Sequence, residues 1–63
     1  MSAGKKLRAL RGKKTQKAAA ADIGITKSSL AMYERDERIP RDEVKVKIAK
    51  YYGESVQSIF FST

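Results

Sequence analysis

The chain has 63 residues and a mass of 7.0 kDa, enough for one domain with a small core, since domains rarely fall below about 50 residues. It contains neither cysteine nor histidine, which excludes disulfides, thiolate metal sites and the commonest general base, so we expect no enzymatic activity, no cofactor and no metal. Fourteen lysines and arginines against seven acids give a net charge of +7, which favours a polyanionic partner.

The first predicted helix lies within a basic segment, residues 1–17, which carries seven bases and no acid. Such a segment is often a solvated arm, but Leu7 and Leu10 have the spacing of one helix face and predict a helix over residues 4–11 that ends at Gly12. No apolar stretch of signal or membrane-spanning length follows its lysines. We therefore expect a cytoplasmic protein, on the bacterial nucleoid, with no membrane partner.

Two further helices are predicted on either side of a glycine. Thr15 can cap a helix over Gln16–Ile23, in which four consecutive alanines have high helix propensity. Gly24 ends that helix, and Thr26 can cap another over Lys27–Arg35. A connection this short between two helices is typical of a helix-turn-helix, whose second helix enters the major groove of DNA.

The side chains around this connection meet the packing requirements of that motif. Ala20 is small enough for a close helix crossing, and Gly24 tolerates a positive φ in the turn. Leu30 and Tyr33 can anchor the inner face of the second helix, and Ile25 can point into the core. The joint pattern predicts a DNA-binding helix-turn-helix with double-stranded DNA as its partner.

The last two predicted helices follow Pro40, through which no helix can continue. The segment Arg41–Tyr52 has apolar residues at helical spacing, which are Val44, Ile48, Tyr51 and Tyr52. This spacing favours core positions for the two tyrosines over a stacking platform for nucleic acid bases. Ser55 can start a short fifth helix. No segment alternates between apolar and polar residues, so the predicted fold is all-α, a compact five-helix bundle in a single domain over residues 1–63.

The sequence between Leu7 and Phe60 resembles the lambda-repressor-like superfamily, in its Cro/repressor (XRE) family. The residues that carry the resemblance are Leu7-Arg8-Ala9-Leu10-Arg11, Thr15-Gln16, Ala20, Ile23-Gly24-Ile25, Leu30, Tyr33-Glu34, Pro40 and Ile48-Ala49-Lys50-Tyr51-Tyr52-Gly53. The resemblance implies a bundle of five helices and a transcription regulator, expected to be a repressor of phage or mobile-element type. It also implies binding to an operator as a homodimer, and we expect no small-molecule ligand.

The resemblance further implies roles for individual side chains. Gln16 would hold a phosphate and brace the residues that read base edges, which are Lys27, Ser28, Ala31 and Met32. Contacts to the DNA backbone would come from Lys17, Thr26, Arg35 and Arg38. Glu34 would pair with Arg11, or with Arg8 because the turn after the first helix is shorter than is usual in the family. Ala19 stands where the family has leucine or valine. The smaller side chain buries less apolar surface, which predicts a stability lower by about 2 kcal/mol.

The base-reading surface is poor in side chains that can make paired hydrogen bonds. Lys27 can donate to guanine O6 and N7 or, equally, to a phosphate. Ser28 can donate to a base or a phosphate, or it can make no DNA contact in the first turn of its helix. Ala31 and Met32 offer only van der Waals contact. We therefore expect modest base specificity that depends in part on DNA shape. The basic residues Lys5, Lys6, Lys13 and Lys14 would add general attraction to the phosphates.

The end of the chain carries an aromatic residue with no predicted place in the core. Phe61 cannot share the face of Phe60, and an exposed phenylalanine favours a partner surface. The last helix often forms the two-fold contact in the resembled family, so the predicted homodimer interface consists of Val56, Ile59, Phe60 and Phe61. The alternative is a frayed end in a monomer. A protein-interaction or antitoxin-like module with the same fold is the alternative function.

Overall fold

Four α-helices and one terminal π-helical turn make up the computed structural model, which describes residues 2–61. The elements are α1 (Ala3–Arg11), α2 (Gln16–Ile23), α3 (Lys27–Glu34), α4 (Asp42–Tyr52) and the π-helical turn α5 (Gln57–Phe61). The described residues contain no strand, and the prediction of an all-α fold is confirmed. The predicted bounds differ from the observed ones by one residue at the start of α1, the end of α3 and the start of α4.

The first three helices begin with the same local contact. The hydroxyls of Ser2, Thr15 and Thr26 each accept a hydrogen bond from the backbone N–H three residues further on. This contact satisfies one of the four N–H groups that a helix start leaves without a partner. Among the described residues, no side chain caps the start of the fourth helix, and Asp42 and Glu43 in its first turn face the positive end of the helix dipole instead.

The core has two parts that meet at α3. Leu7, Tyr33 and Ile48 are buried in the larger part, together with Ile23, Ala49 and Ile59. In the smaller part Ala19 and Ala20 pack with Leu30, so two methyl groups separate the backbone of α2 from α3. Ala19 has no exposed surface. The small side chain at that position is therefore accommodated by close packing of the two helices.

The third helix, α3, ends in a turn that docks on the start of α1. Asp36 has a φ of 58°, the conformation that glycine usually supplies after a helix. Its N–H donates to the carbonyl of Tyr33 at 3.2 Å, and the N–H of Glu37 donates to the carbonyl of Met32 at 2.9 Å, the two bonds of a Schellman motif. The Asp36 carboxylate accepts the N–H of Gly4 at 2.9 Å.

Gly4 allows this docking because it has no side chain. A Cβ there would overlap the carbonyl group of Glu34 and the carboxyl carbon of Asp36. The Ser2 hydroxyl and the Gly4 N–H hold the pKa of Asp36 below its ordinary value, since both hydrogen bonds favour the charged form. The end of α3 is thus fixed in space by the start of α1.

Candidate nucleic-acid interface

The outer face of α3 forms one wall of an open hollow of about 450 Å³. Seven residues line it, which are Gln16, Lys27, Ser28, Ala31, Met32, Arg35 and Glu37. The first six were predicted from the sequence as DNA-contact residues. The structure brings them together on one surface, with α2 contributing Gln16 and the end of α3 contributing Arg35. Glu37 was not predicted.

A buried carboxylate behind this surface joins the first three helices. Glu34 is 1% exposed and accepts hydrogen bonds from Arg11 Nε at 2.7 Å and Arg11 Nη2 at 3.0 Å. Gln16 Nε2 donates to the same carboxylate at 2.9 Å, which leaves Gln16 its second N–H for a ligand. It is Arg11, and not Arg8, that contacts Glu34. The hydrogen bonds to Glu34 raise the pKa of Arg11.

Thr26 and Arg38 lie beside the hollow and do not line it. Both line a second concave surface between α3 and α4 with Ile25, Ser29, Tyr33, Ile39, Arg41 and Val44. The Thr26 hydroxyl accepts from the N–H of Ser29 and donates to Ser29 Oγ at 2.9 Å. A phosphate contact by this hydroxyl would therefore compete with its capping role. Lys17 is exposed in the first turn of α2, next to Gln16.

Arg35 at the rim of the hollow is paired with an acid. Its Nε donates to Glu37 Oε2 at 3.0 Å and its Nη2 donates to Glu37 Oε1 at 3.1 Å. Both side chains are more than half exposed. The pairing of Arg35 with Glu37 depends on the turn at Asp36, which brings residue 37 back beside the helix. An acid that follows a base in the sequence does not by itself reveal this ion pair.

Two of the lysines expected to attract DNA phosphates contact the protein itself. Lys14 Nζ donates to Asp22 Oδ2 at 2.8 Å and to the Tyr51 hydroxyl at 2.7 Å, and the same hydroxyl donates to Asp22 at 2.8 Å. These bonds raise the pKa of Lys14 and lower that of Asp22. Lys6 Nζ donates to the carbonyl of Ser58 at 2.8 Å. Lys14 and Lys6 therefore fasten α1 and the following turn to the C-terminal half.

One residue of the predicted dimer interface, Ile59 in the terminal turn α5, lies in the core. Ile59 is 2% exposed and packs in the chain's own core, so it has no surface to offer a second copy. Val56 and Phe60 are partly buried against that core. Phe61 is 59% exposed, and Lys45 Nζ lies 4.5 Å from the centre of its ring.

Neither a metal-binding cluster nor a membrane-spanning helix is found among the described residues. Between residues 2 and 61 no group of three histidine, cysteine or acidic side chains is arranged to hold a metal ion. No helix in the same range has the length and hydropathy needed to cross a bilayer.

Comparison with known proteins shows the family to which the chain belongs. A model of the helix-turn-helix family matches residues 5–59, which is most of the chain. The chain belongs to the helix-turn-helix family. The Cro/repressor resemblance predicted from the sequence is thereby confirmed. A search of curated proteins found no match.

The fold of this helix-turn-helix protein is also that of a solved repressor structure. The P22 c2 repressor, crystallised in complex with a synthetic operator in the presence of Tl⁺, superposes with a TM-score of 0.93. The match covers 100% of this chain and 98% of the P22 chain, at 23% sequence identity. Similarity at this level of identity establishes the shared fold.

Proposed function

We propose that this helix-turn-helix protein is a sequence-specific regulator of transcription that binds double-stranded DNA and represses by occupying an operator. The observation that carries the proposal is the hollow on the outer face of α3. Its exposed residues Lys27 and Ser28 stand at the start of the helix, and Ala31 and Met32 follow one turn later. The P22 c2 repressor, whose fold the chain shares, was crystallised with an operator, which supports DNA as the partner.

The dimensions of α3 suit the major groove. With its side chains an α-helix is about 10–12 Å across, and the major groove of B-DNA is about 12 Å wide, so the groove can admit α3. With the outer face of α3 in the groove, Lys27 can donate to guanine O6 and N7, and Met32 can contact a thymine methyl group. Gln16 stands beside them with one N–H turned to the protein and one left for a phosphate.

The backbone contacts would come from residues that flank the hollow. Lys17 next to Gln16 carries a charge on an exposed turn, and Arg38 lies on the adjoining surface between α3 and α4. Such contacts fix the position of α3 on the duplex and carry no sequence information. Because Lys6 and Lys14 are bonded within the protein, the phosphate contacts of the basic segment fall mainly to its other bases, such as Lys13.

The operator would be bound by two copies of the chain, as in a repressor of phage or mobile-element type. Phe61, with Val56 and Phe60 beside it, offers an exposed aromatic surface on α5 for the two-fold contact. Two copies related in this way would place their α3 helices in successive major grooves, about 34 Å apart.

One observation favours the alternative of a protein-interaction or antitoxin-like module. Ile39 is 80% exposed and lines a cleft of about 350 Å³ together with Phe60 and Phe61. An apolar cleft of this size can receive a side chain of another protein.

Selection from a randomised library distinguishes these functions. Duplexes bound at about 150 mM salt, near physiological ionic strength, are recovered and sequenced. The proposal predicts two inverted half-sites one helical turn apart. A single half-site would retain DNA reading and contradict the dimer. Binding without enrichment would contradict base reading by α3, and no binding at all would favour the interaction module.

A further inference from the structure

One acidic side chain stands on the surface that the proposed function brings against DNA. Glu37 lines the same hollow as Lys27, Ala31 and Met32, and it is the only acid among the residues that line it. A carboxylate near DNA phosphates is repelled by them and lowers the affinity for DNA of every sequence. This loss of affinity is compensated if the acid increases the preference of the protein for one base sequence over others.

The backbone fixes Glu37 beside the recognition helix. Asp36 adopts a φ of 58°, and the Glu37 N–H donates to the carbonyl of Met32 at 2.9 Å. The Asp36 side chain is itself held by Gly4 of α1. The chain therefore turns back at the end of α3 instead of leading away from it, and the position of residue 37 is tied to that of the helix.

From this position Glu37 orients Arg35. Two parallel hydrogen bonds of 3.0 and 3.1 Å join the guanidinium to the carboxylate and fix the plane of the guanidinium. Of the five N–H groups of Arg35, three remain for a ligand, two of them on Nη1. A guanidinium fixed in this way can donate to two acceptors on one base edge, and guanine O6 and N7 are such a pair.

We propose that Glu37 is a positioning residue for base reading, which holds Arg35 toward a guanine edge and disfavours complexes in which Arg35 has no such partner. This inference rests on the proposed function and deepens it. It assigns Arg35 to a base and not to the phosphate contact that the sequence predicted. Glu37 acts in two separable ways, through the geometry of its two hydrogen bonds and through its charge.

The first test compares Glu37→Gln with Glu43→Gln, which removes the same charge from the exposed first turn of α4, outside the hollow. Affinities are measured by fluorescence anisotropy for the selected operator, for operators changed at one base pair and for a random duplex, each at several salt concentrations. We expect Glu37→Gln to bind the random duplex more tightly and to lose about tenfold of its preference at one G·C pair. Glu43→Gln should leave that preference unchanged.

A second variant separates geometry from charge. Glu37→Asp keeps the charge but withdraws the carboxylate from Arg35, so it should lose preference at the same G·C pair without gaining affinity for random DNA. Because the side chains of Arg35 and Glu37 are more than half exposed, each variant should unfold at the wild-type temperature.

A double-mutant cycle tests whether Glu37 acts through Arg35. Arg35→Ala should abolish the preference at that base pair, and adding Glu37→Gln should then cause no further loss. A further loss in the Arg35→Ala background, or an unchanged preference in Glu37→Gln alone, overturns the inference while leaving the proposed function intact. A wild-type protein without any base preference contradicts the proposed function itself, and the inference falls with it.

Discussion

At the scale of single residues, the buried carboxylate of Glu34 has the largest structural consequence. It is surrounded by Arg11 and Gln16, so each partner of the network depends on the others for satisfied hydrogen bonds. A buried charge left without its partner costs far more than the pair contributes when intact.

Replacement of Arg11 tests this network. Arg11→Met leaves the Glu34 carboxylate buried with one remaining donor, so we expect the free energy of unfolding to fall by about 3 kcal/mol. Arg8→Met is the matched control, because Arg8 is exposed on the same helix and should change stability by less than about 0.5 kcal/mol. Urea unfolding followed by circular dichroism measures both. Equal effects of the two substitutions would contradict the role of Arg11.

Tyr52 presents a different case, a hydroxyl that the fold buries. Its hydroxyl has no partner among the residues that the structure describes, and burial raises the pKa of Tyr52. Tyr52→Phe should therefore leave stability unchanged or increase it by about 1 kcal/mol. Tyr51→Phe removes a hydroxyl bonded to Lys14 and Asp22, and it should lower the melting temperature instead. A lower melting temperature for Tyr52→Phe would show that its hydroxyl is satisfied in solution.

At the scale of the elements, the junction between α1 and α3 sets the direction of α3. Asp36 both ends α3 and accepts the Gly4 N–H at the start of α1. Because its pKa lies below the ordinary value of 3.8, the charged form contributes stability that is present above about pH 4 and is lost as pH falls through the lowered pKa.

The pH dependence of unfolding tests this junction. Between pH 5 and the acid limit of folding, the free energy of unfolding of Asp36→Asn should fall less than that of the wild type. Both proteins are measured in a series of buffers about one pH unit apart. Glu54→Gln serves as the control, since Glu54 is an exposed acid far along the chain. Parallel pH profiles for wild type and Asp36→Asn would show that Asp36 does not stabilise the junction in its charged form.

Those elements also show what the sequence can and cannot reveal. The caps Thr15 and Thr26 and the break at Gly24 act within one turn of chain, so local patterns placed α2 and α3 almost correctly. The turn at Asp36 is also held by a contact with Gly4, which lies 32 residues away. Likewise, Lys14 donates to Tyr51, which lies 37 residues away. The sequence therefore could not show that Lys14 contacts the protein itself and not a DNA phosphate.

The candidate site divides in the same way. The four positions proposed to read bases come from the resemblance to the Cro/repressor family. All four line the hollow, and they are Lys27, Ser28, Ala31 and Met32. The acid in that hollow was missed because Glu37 lies beyond the helix and returns to it only through the Schellman turn. Ile59 was assigned to a partner surface because the spacing of α5 could not show which of its apolar residues the core would take.

At the scale of the whole molecule, the proposed dimer is tested by sedimentation at micromolar concentration. We expect the wild type to sediment at twice its mass of 7.0 kDa and Phe61→Ala to sediment as a monomer, because Phe61 is the most exposed apolar residue of α5. Val46→Ala is the control, since it removes an exposed apolar side chain from α4. An unchanged mass for Phe61→Ala would contradict its place in the interface.

The central claim is that α3 reads base edges, and the most direct measurement compares two lysines. Lys27→Ala and Lys47→Ala remove the same exposed charge, one from the hollow and one from α4, and affinities are measured for the selected operator and for a random duplex. We predict that Lys27→Ala weakens operator binding by about 1–3 kcal/mol and lowers preference at one base position, while Lys47→Ala affects both duplexes alike. Equal losses on both duplexes for Lys27→Ala would contradict base reading by α3.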